Sequence, residues 1–223
     1  VLYSLNTDQW DLYNMDMAPT RTAPDSTYKI YDALFALEEG IITPEYSLMT
    51  WNQVDYPFET WEKDQTLQTA MSGSVNWYFE ALDHEIGRNG IQSYVQKIGY
   101  GNENVGSDIA SYWMESTLKI SPVEQVELLK AFYQNTFDFT SENIKAVKDS
   151  IRLSSSASGT LYGKTGTGRV DGQDISGWFI GYVETPENTY FFATNIQAEN
   201  GATGSTAAEI TLSILSNLNL WKQ

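Results

Sequence analysis

Apolar and polar residues alternate at both ends of the chain, a pattern that predicts β-strands. Short polar turns separate neighbouring strands at Asn6-Thr7-Asp8 and at Pro186-Glu187-Asn188. Strands that are adjacent in sequence and joined by short turns pair antiparallel. The predicted strands are residues 1–5, 10–14, 161–165, 177–184 and 189–197.

The middle of the chain has apolar residues at helical spacing. In residues 26–39 an apolar stripe of Ile30, Ala33, Leu34 and Leu37 runs up to Gly40, which ends the predicted helix. Another helix begins at Ser121-Pro122, where an N-cap, a proline at the first position and Glu124 at the third coincide. Residues 41–65 are irregular and rich in aromatic side chains. The helix that begins at Pro122 is predicted to span residues 122–134, and the remaining predicted helices are residues 66–72, 77–86, 89–98, 140–150 and 206–219.

Strands at both ends and helices between them predict one α/β domain of the α+β type. In the simplest architecture, a single antiparallel sheet is built from both chain ends, is flanked by helices and carries an inserted helical region. No repeat or low-complexity linker divides the chain, so residues 1–223 are predicted to form one domain. Because Val1 opens directly in an apolar alternating run, we expect the chain to be a fragment of a longer protein.

The composition is that of an ordinary globular protein with an acidic surface. The 13 Lys and Arg residues face 29 Asp and Glu residues, for a net charge of −16, so nucleic acid is not expected as a partner. The chain has no cysteine, which excludes disulfides, thiolate metal sites and a cysteine nucleophile. Its one histidine, His84, lies in a polar helical stretch and is predicted at the surface, so no Ser-His-Asp triad is available.

The segment LYGKTGTGRVDG, residues 161–172, contains Gly-Lys-Thr and therefore raises the possibility of a phosphate-binding loop. That motif requires a glycine at position 158, where this chain has Ser158. It also requires a helix directly after Thr165, and the glycines that follow do not start a helix. The segment instead predicts a strand edge, with glycines that permit close approach of a ligand backbone.

A Lys-Thr-Gly strand is the partner of a Ser-x-x-Lys motif in penicillin-recognising serine enzymes. Two Ser-x-x-Lys sequences occur, Ser26 to Lys29 and Ser116 to Lys119. The chemistry needs the serine at a helix N-terminus and the lysine one turn later on the same face. Ser26 precedes a helical stripe, whereas Ser116 precedes a separate helix start and is predicted to be extended or turn-like, which favours Ser26.

A third short motif, Ser74-Val75-Asn76, lies between the other two in the chain. Its hydroxyl and amide side chains are suited to relaying a proton and holding a substrate amide. Alone this motif fits a simple junction between helices. Its position after Ser-x-x-Lys and before Lys-Thr-Gly raises its significance.

The complete chain, from the opening hairpin to the closing helix, resembles the penicillin-recognising serine proteins. The three motifs are accompanied by longer matching segments. These segments are WNQVDYPFETWEKDQTLQTAMSGSVNW, YGN at 100–102, YWMESTLKIS at 112–121 and YGKTGTG at 162–168. They are similar to class D β-lactamases, and more so to the sensor domain of BlaR/MecR-type penicillin receptors. The resemblance implies a β-lactamase/transpeptidase-like fold.

The resemblance also implies the roles of the catalytic residues. Ser26 would attack the β-lactam carbonyl to form an acyl-enzyme, and Lys29 would take the serine proton. Ser74 would pass the proton to the leaving nitrogen. A neutral Lys29 requires a lowered pKa, to which burial and the neighbouring cation of Lys164 would contribute.

The same resemblance implies the binding residues. The Lys-Thr-Gly strand would bind the antibiotic carboxylate through Lys164, Thr165 and Thr167, with Gly166 between them. The backbone N–H groups of Ser26 and Thr167 would form the oxyanion hole. No metal or cofactor is expected, apart from CO2, which can convert the amine of Lys29 into a carbamate. Trp113 occupies the place of a tryptophan that helps to hold this carbamate in class D enzymes.

Two departures from the class D pattern bear on the reaction. Asn76 stands where class D enzymes have an apolar residue, and a polar amide beside Lys29 would favour the plain amine over the carbamate. The stretch ATNIQAENGATGSTAAEI contains no arginine to assist carboxylate binding. Without the carbamate as a base the acyl group would stay on the serine, which is useless for hydrolysis but suits a sensor.

The resemblance, together with these two departures, implies a β-lactam sensor whose partners are β-lactam antibiotics, bound covalently, and the membrane and protease parts of a full-length receptor. Little turnover is expected. The alternative is a class D-like serine β-lactamase, followed by a peptidoglycan peptidase or an inactive relative. The domain is expected to be monomeric and to lie on the extracellular face of the cell membrane. No run of 18 apolar residues occurs in the chain.

Overall fold

A computed structural model of the chain describes residues 1–222. A six-stranded antiparallel sheet runs in the order β2-β1-β6-β5-β4-β3, so the two chain ends meet through the pairing of β1 with β6. The predicted fold class, an antiparallel sheet built from both ends of the chain with a helical insertion, is confirmed. The strands are β1 (Leu2–Ser4), β2 (Gln9–Asp11), β3 (Arg152–Ser156), β4 (Gly159–Val170), β5 (Gln173–Glu184) and β6 (Thr189–Gln197).

Helices occupy the middle of the chain and its C-terminal end, as predicted. Residues 41–65 are irregular except for a single 3₁₀ turn at Glu59–Trp61. A second 3₁₀ turn, Asp25–Tyr28, leads directly into the first α-helix. The helices are α1 (Lys29–Glu38), α2 (Leu67–Gly73), α3 (Asn76–Ile98), α4 (Pro122–Gln134), α5 (Ser141–Ser150) and α6 (Gly204–Asn217).

The two helices predicted at residues 77–86 and 89–98 are confirmed, because α3 is broken between them at Gly87, where φ is 72° and ψ is 157°. Two features of the strands differ from the prediction. The strand predicted to end at Thr165 continues to Val170, because pairing with β5 supports the glycine-rich segment. The strand β3 was not predicted, since its sequence RLSSS is polar and mostly exposed.

The sheet is covered on both faces, which explains the continuous apolar run of its central strand. Along β5, Trp178, Ile180 and Tyr182 join the main core, which also contains residues of α1, α3 and α4. Phe179 and Val183 point to the other face and join a smaller core with residues of α6. Strand β4, which carries Lys-Thr-Gly, therefore lies in a rigid sheet and packs against the 3₁₀ turn that precedes α1.

Candidate active site

The 3₁₀ turn Asp25–Tyr28 places Ser26 at the point where helix α1 begins. Neighbouring elements hold this turn through the backbone: Trp178 Nε1 donates to the carbonyl of Ala23 at 2.8 Å, and the amide of Asp25 donates to the carbonyl of Trp113 at 3.0 Å. Asp25 adopts a left-handed conformation with φ of 48°, which is uncommon for a residue other than glycine. Ser26 is thus presented from a constrained segment at a helix N-terminus.

Lys29 begins helix α1 one turn after Ser26, and its side chain is fully buried. Its Nζ lies 2.8 Å from Ser26 Oγ and 2.7 Å from Asn76 Oδ1. Burial and then the charge of Lys164 lower the pKa of Lys29 well below its usual value, and the carboxyl of Asp32 opposes them. A lowered pKa increases the neutral fraction of the lysine, and a neutral lysine can accept the serine proton, so the pair has the geometry of a nucleophile and its base.

The loop between α2 and α3 brings the second motif to the same site. Ser74 caps α2 in a left-handed conformation with φ of 52°, and Asn76 begins α3 two residues later. This sharp reversal turns Ser74 toward β4, where its Oγ accepts a hydrogen bond of 3.0 Å from Lys164 Nζ. Lys164 is buried, and desolvation lowers its pKa to about 7. The two lysines of the site are therefore linked to Ser26 and Ser74 respectively.

The glycines of β4 accommodate segments of the chain itself. A Cβ atom on Gly166 would lie 3.1 Å from the carbonyl oxygen of Pro24 and 3.2 Å from the amide nitrogen of Ser26. A side chain at this position would push the strand away from the nucleophile. The glycines of this strand were predicted to let a ligand approach closely. At Gly166 the segment that approaches closely is the 3₁₀ turn that carries Ser26.

These elements surround an open cleft of about 520 Å³. Of the residues predicted from the sequence, the cleft is lined by Ser26, Ser74, Asn76, Thr165, Gly166 and Thr167. Lys29 and Lys164 lie beneath it and contact these side chains. The second Ser-x-x-Lys sequence, at residues 116–119, lies outside helices and strands, and His84 is exposed, both as predicted.

Trp113 is brought to the site but not to the cleft. Its buried ring lies under Lys29, whose Nζ is 4.2 Å from the ring centroid. Its Nε1 donates to Asp83 Oδ2 at 3.1 Å and is directed away from Lys29. In this arrangement the indole therefore presents its ring face, and not its N–H, to Lys29.

Several cleft residues were not identified from the sequence. Phe58 and Trp61, from the irregular segment, form an aromatic wall. Arg169 lies at the mouth and its Nε donates to Asp174 Oδ1 at 2.7 Å. Arg169 could have been found from the strand period, because Thr165, Thr167 and Arg169 are spaced two apart. It supplies a cation from β4 itself, whereas the stretch ATNIQAENGATGSTAAEI, residues 193–210, contains no arginine.

Comparison with known proteins places this arrangement among penicillin-recognising domains. The family of the penicillin binding protein transpeptidase domain matches residues 3–216. The regulatory protein BlaR1 of Bacillus licheniformis is 51% identical over 99% of the chain, and the methicillin resistance protein MecR1 of Staphylococcus aureus is 40% identical over the same share. The chain spans 37% of the length of each of these two relatives.

Solved structures agree with the sequence comparison. The C-terminal domain of the BlaR penicillin receptor of Bacillus licheniformis superimposes with a TM-score of 0.96 at 50% identity, covering 99% of this chain and 89% of that one. A class D β-lactamase from Bacillus subtilis superimposes with a TM-score of 0.94 at 35% identity, covering 100% and 91%. The predicted resemblance to both groups, and the closer resemblance to the receptors, are confirmed.

Proposed function

We propose, from the premise that this chain belongs to the penicillin binding protein transpeptidase domain family, that it is a β-lactam sensor whose Ser26 becomes acylated and stays acylated. The observation that carries the proposal is the position of Lys29 Nζ between Ser26 Oγ at 2.8 Å and Asn76 Oδ1 at 2.7 Å. The contact with Ser26 supports acylation. The contact with Asn76 prevents the lysine from activating water afterwards.

Acylation follows from the contacts around Ser26. The neutral amine of Lys29 accepts the proton of Ser26 as Oγ attacks the β-lactam carbonyl. The Ser26 backbone N–H at the start of the helix, together with that of Thr167, stabilises the developing oxyanion. Ser74 passes its hydroxyl proton to the lactam nitrogen as the C–N bond breaks, and Lys164, which donates to Ser74 Oγ, supplies the proton that replaces it. The ring-opened antibiotic remains attached to Ser26 as an ester.

Carboxylate recognition rests on the edge of β4. Thr165 and Thr167 line the cleft and offer hydroxyl donors, and Lys164 supplies a positive charge beneath them. The hydroxyl of Thr167 already accepts a hydrogen bond of 2.9 Å from the amide of Gly204, which leaves its own proton free to donate. Arg169 adds a second cation at the mouth.

Persistence of the ester follows from what surrounds Lys29 after acylation. Hydrolysis needs a base that can take a proton from water near the ester. After acylation Lys29 carries the proton that it took from Ser26, and Asn76 Oδ1, which accepts a hydrogen bond from Lys29 Nζ, stabilises this ammonium form, which is not a base. The acylated state therefore lasts long enough to serve as a signal.

The setting of the domain is also part of the proposal. Because the receptor relatives are much longer than this chain, we infer that the full-length protein has further parts. The resemblance to penicillin receptors implies that these are membrane and protease parts, which would receive the signal. We propose that the domain itself lies on the extracellular face of the membrane, where it would meet the antibiotic. Among residues 1–222, no helix is both long enough and apolar enough to cross a bilayer.

Intact-mass spectrometry after mixing with benzylpenicillin, followed from seconds to hours, tests the function. A sensor gains the mass of one penicillin, keeps it for hours, and gains nothing as Ser26→Ala. The similarity to class D β-lactamases at 35% identity supports hydrolysis as the second candidate. An adduct that clears within seconds while penicillin is consumed would establish that alternative, and no adduct at all would exclude both.

A further inference from the structure

Two buried carboxyl groups lie next to one another beneath the active-site lysine. Asp32 is one turn after Lys29 on α1, and Asp83 faces it from α3. Asp83 Oδ1 accepts a hydrogen bond of 2.8 Å from Tyr112 OH, and its Oδ2 accepts one of 3.1 Å from Trp113 Nε1. Asp32 has no donor on either oxygen among residues 1–222. The proposed catalytic steps use neither carboxyl group.

The missing donors determine where the proton of this pair resides. A buried carboxylate that receives no hydrogen bond is very costly, whereas a protonated carboxyl can donate to its neighbour. Burial and the charge of Asp83 both raise the pKa of Asp32 well above its usual value. Burial also raises the pKa of Asp83, to about 7, but its oxygens accept hydrogen bonds from Tyr112 and Trp113. The proton of the pair therefore belongs on Asp32, from which it can be donated to Asp83.

This arrangement occupies the single N–H group of the Trp113 indole. With that N–H directed to Asp83, Lys29 meets the face of the ring, with Nζ 4.2 Å from its centroid. The ring of Phe79 lies on another side at 5.4 Å. Aromatic faces are electronegative, so they attract an ammonium group and repel an anion.

The residues around Nζ do not fit a carbamate, which is an anion with two oxygen atoms that need donors. Asn76 turns its oxygen to the lysine, and its Nδ2 contacts Met114 Sδ at 3.3 Å. The indole N–H of Trp113 is taken by Asp83. Among these neighbours, the hydroxyl of Ser26 remains as the one donor to such a group.

We propose that Asp83 is a positioning residue, which keeps Lys29 a free amine by holding the indole N–H of Trp113 away from it, and that Asp32 supports Asp83 by donating a proton. This inference rests on the proposed function, since it explains why the acylated site lacks a base. Carbamate formation would join the Nζ lone pair to the carbon of dissolved CO2, move one C–O π pair onto oxygen and release one proton from nitrogen. Freeing the indole would favour that step.

Carbon-13 NMR of the protein in labelled bicarbonate measures this directly, with Lys29→Ala identifying the Lys29 signal. In Asp83→Ala the indole N–H is released, and we expect carbamate occupancy at fixed CO2 to rise by about tenfold, the effect of one hydrogen bond to a charged group. Asp32→Asn is the matched control, because its amide N–H can donate to Asp83 in place of the proton. We expect the carbamate occupancy of Lys29 in this variant to equal that in the unmodified protein.

A second substitution separates the indole from a general loosening of the core. In Asp83→Ala combined with Trp113→Phe, the ring face remains and the N–H is gone, so the gain in carbamate should disappear. A gain that persists in the double variant, or no gain in Asp83→Ala, would overturn the proposal.

If Asp83→Ala does not fold, the unmodified protein still provides the test. The indole N–H resonance of Trp113, identified by its loss in Trp113→Phe, should keep its chemical shift when bicarbonate is added. A shift that tracks bicarbonate would mean that this N–H reaches the lysine. Acyl lifetime, followed separately by mass, reports on the proposed function: rapid clearance would overturn the sensor function and leave the CO2 measurement intact.

Discussion

The side-chain oxygen of Asn76 lies 2.7 Å from Nζ of Lys29 and joins the start of α3 to the start of α1. The amide of Asn76 thus lies beside the amine of Lys29, which must act as the base in acylation but must not activate water for hydrolysis. A residue of similar size without an acceptor would allow Lys29 to act in hydrolysis as well. This contact is the site's clearest structural distinction between sensing and turnover.

Replacing Asn76 by Val should accelerate loss of the acyl group. Without the amide oxygen, the protonated form of Lys29 loses a hydrogen-bond acceptor, and its neutral form is favoured as a base. We expect deacylation to be faster by about tenfold, which corresponds to ~1.4 kcal/mol in the barrier. The measurement is the decay of the acylated mass after excess penicillin is removed.

Asn76→Asp is the matched variant, since it keeps the acceptor and adds a negative charge that raises the pKa of Lys29. It should acylate more slowly and should not deacylate faster. An unchanged acyl lifetime in Asn76→Val would remove Asn76 from this role.

The second-order acylation rate should fall as pH rises above about 7, where Lys164 loses its proton. Desolvation places the pKa of Lys164 near this value, and an antibiotic carboxylate binds less well to a neutral amine. This rate constant reports the free protein, so the pKa of the unliganded site applies. Stopped-flow acylation by an anionic β-lactam across the pH range provides the profile.

Lys164→Arg should lose this alkaline limb, because the guanidinium stays charged throughout the accessible range. The shape of the profile is the readout, since the absolute rate also depends on how arginine fits beneath Ser74. The same alkaline fall in Lys164→Arg would assign it to another group.

Removing both hydroxyls, as Thr165→Ala with Thr167→Ala, should slow acylation by about a hundredfold or more, since each hydrogen bond to a charged group contributes ~1.5–3 kcal/mol. The lifetime of the acyl group should not change, because these residues contact the carboxylate and not the ester. Thr160→Ala, on the same strand and outside the cleft, is the control. A penicillin with an esterified carboxylate should react at the same rate with the unmodified protein and with the double variant. Unequal rates would contradict the assignment of Thr165 and Thr167 to carboxylate binding.

Much of this site could be predicted because its chemistry is carried by residues of fixed type at short spacing. Ser26 and Lys29 are separated by one helical turn, and Lys164 to Gly166 occupy one strand edge, so local geometry already sets their relations. The antiparallel order of the sheet followed from short turns at its ends. The polar strand β3 could not be predicted, because its stability comes from pairing with β4 rather than from its own apolar residues.

The buried carboxyl pair lay beyond sequence reasoning for a different reason. Asp32 occupies an otherwise apolar helical stripe and reads as a single polar position, and Asp83 reads as part of a polar stretch beside His84. Only the packing of α1 against α3 brings the two side chains together under Lys29. The direction of the Trp113 indole depends on that encounter, so its bond to Asp83 could not be anticipated either.

Asp32→Asn should stabilise the protein progressively as pH rises from about 4, the ordinary pKa of an aspartate in the unfolded chain. In the folded protein the pKa of Asp32 is raised. Between the unfolded and the folded pKa, the native state therefore binds more protons than the unfolded state, and the stability of the unmodified protein falls as pH rises. Asn cannot titrate and retains a donor for Asp83. The difference in unfolding free energy between the two proteins should therefore grow by up to ~1.4 kcal/mol per pH unit.

Urea unfolding of both proteins at a series of pH values measures this difference. Asp55→Asn, at an exposed loop position, controls for the loss of one negative charge and should give a curve parallel to that of the unmodified protein. Parallel curves for Asp32→Asn as well would mean that Asp32 is ionised in the folded state. Asp83 would then need another source for its third hydrogen bond, and the two carboxylates would repel each other beneath Lys29. If the unfolding free energy of Asp32→Asn instead rises above that of the unmodified protein as pH increases, the proton lies on Asp32. The absence of any other donor to this carboxyl group requires that position.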